Sequence, residues 1–193
     1  MKINSISFKA SYVKPADILL KPTVPNKEKK IIKGSFVELN PYNENDLDTA
    51  CELNDYWGFM ETYAFQIFDS MERINRKLLN YDENSKFYAL TLQQDKFENI
   101  DHKKILGITE ITENEDKIFI NFLQVDPENK RKAPKAKYKH IGTMIIDSLK
   151  SIYEKNKIEL RSTVSAKKFY TAVGFVKKSL KTNEYIYIPK KGK

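Results

Sequence analysis

The residues with the clearest chemical potential lie between Leu123 and Tyr153. An apolar segment closes as Leu-Gln-Val-Asp-Pro, a lysine-rich stretch follows, and His140-Ile141-Gly142-Thr143 opens an amphipathic segment. A strand that runs through a loop into a helix start presents unpaired backbone N–H groups under a partial positive charge, which makes an anion site. The expected ligand is a phosphorylated cofactor. Between Pro127 and Gly142 the chain carries Lys130, Arg131, Lys132, Lys135, Lys137 and Lys139 against Glu128 alone, a field suited to phosphates or to an acidic substrate.

Other reactive residues are few. Cys51 is the only cysteine, and His102 and His140 are the only histidines. The chain therefore cannot build an internal disulfide or a thiolate-rich metal site, and the expectation is no metal. Cys51 falls in a predicted helix, where a small buried hydrophobe is the simpler role than a nucleophile. A net charge of +8 over 193 residues favours anionic ligands. The basic residues lack the interleaved aromatics of nucleic-acid modules, which argues against a nucleic-acid partner. No apolar run reaches the length of a secretory core or a membrane span, so the expected location is the reducing cytoplasm, without a membrane partner.

The elements that must position these residues follow from apolar periodicity. Residues 1 to 34 read as an extension and linker with one possible added strand over Ile3 to Val13, broken by Pro15, Pro22, Pro25 and the Lys27 to Lys30 run. The domain proper is expected over residues 35 to 193. Phe36 to Leu39 suits a strand, Asn40-Pro41 a turn, and Asn43 or Asn45 the cap of a helix through Leu47, Ala50 and Leu53. A second helix is predicted from about Phe65 to Leu79. Strands follow at Phe87 to Leu92, Ile105 to Ile111 and Ile118 to Val125. Ile145, Ile146, Leu149, Ile152 and Tyr153 then form one face of a helix beginning at Thr143. Ile158 to Thr163 reads as a strand, Ser165 as the cap of a two-turn helix ending at Gly174, and Phe175 to Ser179 with Tyr185 to Ile188 as a closing hairpin.

In this order the elements resemble the GCN5-related N-acetyltransferases over roughly Ser35 to Ile188. Three motifs carry the resemblance: Leu123-x-Val125-x-Pro127, Lys137-Tyr-Lys139-His140-Ile141-Gly142, and Ala166-Lys-Lys-Phe-Tyr170-x-x-x-Gly174-Phe175. The resemblance implies a mixed α/β fold with a largely antiparallel twisted sheet flanked by helices on both faces. It also implies acetyl-CoA as cosubstrate, with Leu123 and Val125 beside the pantetheine arm. Lys137, Lys139, His140, Ile141, Gly142 and Thr143 would lie around the pyrophosphate. A pyrophosphate needs several converging N–H donors, a close backbone approach that glycine permits, and nearby positive charge. The chain departs from the family where His140 stands in place of the usual first glycine, where Lys137 replaces Arg or Gln, and in the longer interval from Pro127 to Gly142.

The implied reaction is direct attack of a primary amine on a thioester. Tyr170 stands where the family places the group that assists the departing thiolate. An ammonium must first lose its proton, to a carboxylate or a water chain or through a depressed substrate pKa, and Glu110 and Glu159 are the candidate carboxylates. The stretch Tyr56, Trp57, Phe59, Met60, Tyr63 and Phe65 around Gly58, with Glu61, would form a wall over an amine-bearing small molecule, peptide or protein. Two other functions compete with this one: a basic nucleic-acid-binding module, and a catalytically silent acyl-CoA-binding protein of the same fold.

Overall fold

The computed structural model describes residues 10–22, 30–58, 63–78, 84–130, 133–134 and 136–189. Its strands are β1 (Ser11–Leu20), β2 (Ile31–Leu39), β3 (Ser85–Thr91), β4 (Ile105–Glu113), β5 (Lys117–Val125), β6 (Tyr138–Lys139), β7 (Lys157–Arg161), β8 (Val176–Lys177) and β9 (Glu184–Tyr187). They form one nine-stranded sheet in the order β6-β1-β2-β3-β4-β5-β7-β9-β8. Every pairing is antiparallel except β5 with β7. The helices are α1 (Glu44–Trp57), α2 (Tyr63–Asn75), α3 (Ile141–Ile152) and α4 (Lys167–Ala172).

The sheet is covered on both faces, which explains why its central strands read as nearly continuous apolar runs. Along β3 the side chains alternate: Phe87 and Ala89 join the core beneath α1 and α2, whereas Tyr88 and Leu90 join the core beneath α3. On α3, Ile145, Ile146 and Leu149 are fully buried, each contributing about 1.5–3 kcal/mol by removal from water. Asn43 caps α1 by accepting a hydrogen bond from the Asp46 amide at 3.1 Å.

Several boundaries differ from the sequence reading. Among the described residues the first strand is Ser11–Leu20, which meets the predicted Ile3 to Val13 only over Ser11 to Val13, and Pro15 does not break it. β1 runs through Pro15, which lies beyond the reach of β6 on the strand's open side, because β6 meets only Leu19 and Leu20. A missing N–H costs nothing there. A register shift at Val13 adds a bulge. β2 begins at Ile31, four residues before the expected start of the domain, and the buried Ala16 and Ile18 belong to the main core. Residues 1–9, including Ile6 and Phe8, and residues 23–29 lie outside the described residues. α2 starts and stops earlier than expected, leaving Leu78 exposed, while Leu79 is outside the described set. Ser165 does not cap α4: its hydroxyl meets that of Thr163 at 3.1 Å, and Ala166 occupies the cap position.

Candidate active site

The site begins with a divergence of two parallel strands. β5 pairs with β7 only over Lys117–Ile120, while its pairing with β4 continues to Val125. Glu110 faces Phe122 and Ile111 faces Ile120, so Asn121 is an extra residue in β5. A bulge of this kind bends the strand and increases its twist. Beyond it, among the described residues, no strand covers Asn121–Val125 on the β7 side. Leu123 and Val125 therefore sit at an open edge, half-buried against the core beneath α3.

α3 starts at this opening. His140 is left-handed, with φ 60° and ψ 22°, and supplies no side-chain cap. The backbone thus adopts the conformation that a glycine would take freely, at a cost of about 1 kcal/mol for an L residue. The Met144 amide makes the first helical bond, to the His140 carbonyl at 2.9 Å, so the amides of Ile141, Gly142 and Thr143 form the uncapped first turn. A Cβ on Gly142 would lie 3.1 Å from Phe169 Cζ and 3.7 Å from Val125 Cγ2. The helix start, the end of β5 and α4 therefore meet at this glycine. Ile141 is buried, leaving only its backbone for a ligand.

The described residues of the long loop before α3 are tied together by hydrogen bonds centred on Asn129. Asn129 Oδ1 accepts from the amides of Lys137 and Tyr138 at 2.9 and 3.1 Å, and its Nδ2 donates to Asp126 Oδ2 at 2.5 Å. Asp126 Oδ1 accepts from the Glu128 amide, and burial raises the pKa of this carboxyl. The chain then forms β6 beside β1, an edge pairing absent from the sequence reading, before returning to His140. Lys130, Lys137, Lys139 and His140 are exposed. Arg131, Lys132 and Lys135 lie outside the described residues.

Tyr170 is buried in α4 between the rings of Phe169, Phe175 and Tyr185. Burial, and secondarily Tyr63, push its pKa up to about 12, so at neutral pH the phenol is a hydrogen-bond donor. Tyr63 of α2 contacts Phe122, with ring centroids 5.5 Å apart. Through Phe122 this contact leads to Glu110, its register partner on β4. Glu110 is only 4% exposed, and its Oε1 accepts from Asn121 Nδ2 at 2.9 Å. The same amide donates to Thr112 Oγ1 at 3.0 Å. The bulged residue therefore orients the carboxylate.

The remaining sequence candidates separate. Glu159 is held by Lys178 at 3.2 Å and Lys117 at 3.6 Å, where β5 and β7 are still paired, so it is not a base at the opening. Burial, then the carboxylates of Asp55, Asp48, Glu72 and Glu52, raise the pKa of the Cys51 thiol, opposite to what a nucleophile needs. Trp57 is buried and Tyr56 packs against His102. Phe59, Met60 and Glu61 are outside the described residues. The sequence reading did not include the Tyr63–Phe122 contact or the buried polar atoms Asn54 Oδ1 and Trp57 Nε1, which lack hydrogen-bond partners among the described residues. Among the described residues no group of three His, Cys, Asp or Glu side chains could hold a metal, and no helix is long and apolar enough to cross a membrane.

This topology, with its splayed parallel pair and an uncapped helix at the opening, is the fold of the GCN5-related N-acetyltransferases. Among solved structures it is similar to the ribosomal-protein-S18-alanine N-acetyltransferase from Escherichia coli, at 14% identity and TM-score 0.51, over 82% of this chain and 96% of that one. It also matches the paia N-acetyltransferase from Thermoplasma acidophilum in complex with coenzyme A, at 16% identity and TM-score 0.45, over 78% and 94% of the two chains. A Pyrococcus horikoshii protein matches at 15% identity and TM-score 0.47 over 74% of this chain, which spans 43% of that one. No protein-family model and no curated protein matches the sequence.

Proposed function

We propose that the protein is an acetyl-CoA-dependent N-acetyltransferase that passes the acetyl group directly to a primary amine on a small molecule, a peptide or a protein. The reading rests on one convergence: the open edge at Leu123 and Val125, the uncapped α3 start at Gly142 and the α4 segment bearing Tyr170 meet at a single opening. The amides of Ile141, Gly142 and Thr143 would hold the pyrophosphate, with the His140 backbone N–H as a further donor and Lys137 and Lys139 near enough in the chain to add charge. Leu123 and Val125 would flank the pantetheine arm. Bound acetyl-CoA supplies an activated thioester.

The amine nitrogen bonds to the thioester carbon as the C–S bond breaks, the amine proton passes toward Glu110, and the sulfur leaves as a thiolate. Tyr170, kept protonated by burial, donates a hydrogen bond to that sulfur. A phenol with a pKa near 12 stabilises a thiolate by hydrogen bonding rather than by early proton transfer. Asn121 holds one oxygen of Glu110 in a fixed orientation.

The test is incubation with acetyl-CoA and a mixed amine panel, following free-thiol release and melting temperature. The wild type should release thiol and be stabilised by acetyl-CoA. Tyr170→Phe should lower turnover by ~10-fold or more while keeping the thermal shift, and Gly142→Val should abolish the shift by filling the contact with Phe169. A thermal shift without thiol release would indicate a silent acyl-CoA-binding protein. No shift, together with salt-sensitive nucleic-acid binding, would refute the enzyme.

A further inference from the structure

α4 contains only six residues, and no side chain caps its N-terminus. Its C-terminus is closed more firmly. The amides of Val173, Gly174 and Phe175 return to the carbonyls of Phe169, Thr171 and Tyr170, and Gly174 takes φ 90°, the positive-φ turn that a helix end uses. The Val173 carbonyl accepts a hydrogen bond from Lys150 Nζ of α3.

Lys150 is an unusual side chain for that place. It is 17% exposed, its ammonium lies 4.3 Å from the centroid of Tyr187 and 5.7 Å from that of Phe175, and a Cβ on Gly174 would be 3.7 Å from it. Asp147 is 3.9 Å away and largely exposed, so it offers little compensation. Burial lowers the lysine's pKa. What offsets the cost of burial is the carbonyl, two aromatic faces and the negative end of a helix dipole. Phe175 in turn packs edge-on against Tyr170, with ring centroids 5.8 Å apart.

We propose that Lys150 is a positioning residue for Tyr170. It ties the short helix that carries the tyrosine to the helix whose start forms the anion cradle. Gly142 and Lys150 are eight residues apart on α3, or about 12 Å along the axis. One rigid helix therefore sets the spacing between the phosphate end of a bound cofactor and the phenol that faces its leaving group. This inference rests on the reading of Tyr170 given above.

The experiment introduces Lys150→Met and Lys150→Arg into the wild type and into Tyr170→Phe, and measures turnover of acetyl-CoA with the fastest amine of the panel. Lys150→Met should lower kcat ~10-fold with the KM for acetyl-CoA within ~2-fold. In the Tyr170→Phe background it should cost less than ~2-fold, and Lys150→Arg should recover most of the rate. Equal losses in both backgrounds, or a loss carried by KM, would overturn the proposal. If Lys150→Met does not fold, Lys150→Gln, which retains a neutral N–H donor, takes its place.

An activity-free readout accompanies these rates. In protein containing 3-fluorotyrosine, the resonance that disappears in Tyr170→Phe should move in the Lys150 variant, while those of the Tyr88–Tyr153 pair stay in place. A stationary Tyr170 resonance overturns the proposal. Absence of thiol release by the wild type would instead refute the acetyltransferase reading, and the fluorine shift would then decide the Lys150 contact by itself.

Discussion

Two buried acids show how the surroundings of a residue outweigh its type. Glu110 and Asp46 are both almost fully buried, yet Glu110 is oriented by Asn121 beside the opening, whereas Asp46 sits in the first turn of α1 away from it. Burial, partly opposed by a hydrogen bond from the Asn40 amide, raises the Asp46 pKa to about 7. Its Oδ1 has no hydrogen-bond partner among the described residues. The folded protein therefore keeps a proton that the unfolded chain releases near pH 4, and folding stability falls as pH rises from about 4 to 7, then levels off. The gap corresponds to roughly 4 kcal/mol. Relative to Asp46→Asn, the wild type should lose stability across that window in urea titrations. A pH-independent difference between the two would show that the carboxyl ionises normally.

At the scale of elements, the start of α3 is decided by backbone conformation more than by side chains. His140 occupies the left-handed region without contributing a cap, so its imidazole is not what shapes the turn. His140→Gly should leave the urea midpoint unchanged or slightly higher and preserve the thermal shift with acetyl-CoA. A β-branched residue tolerates positive φ poorly, and His140→Val should cost about 1–2 kcal/mol. Equal losses in both variants would assign the role to the imidazole. The bulge at Asn121 is the other element-scale device. It ends the cover of β7 over β5 and, with the same residue, clamps Glu110. The sequence contains no mark of it, since Ile118 to Val125 reads as an ordinary strand and a bulge depends on register with β4.

At the scale of the molecule, β1 belongs to the core. Ile18 is fully buried among residues of the α3 face, and β1 is clasped between β2 and β6. Ile18→Ala should cost about 3 kcal/mol in urea unfolding, the usual loss for a buried aliphatic, and a loss below about 1 kcal/mol would place the strand outside the cooperative unit. The central elements were legible because their periodicity is local: Ile145, Ile146 and Leu149 announce α3, and the apolar runs at Ile105 to Ile111 and Ile118 to Val125 announce β4 and β5. Pro15 misled because a proline's effect depends on whether its missing N–H faces a partner, and that depends on β6, two residues far away in sequence. By itself the sequence determined the strand, loop and helix from Leu123 to Tyr153 and the short helix carrying Tyr170, since apolar spacing, Gly142 and Gly174 act over a few residues. Only the tertiary structure decided that β5 and β7 diverge, that Tyr63 packs on Phe122, the register partner of Glu110, and that Lys150 reaches the Val173 carbonyl at the end of α4, because each depends on contacts between elements that local pattern cannot encode.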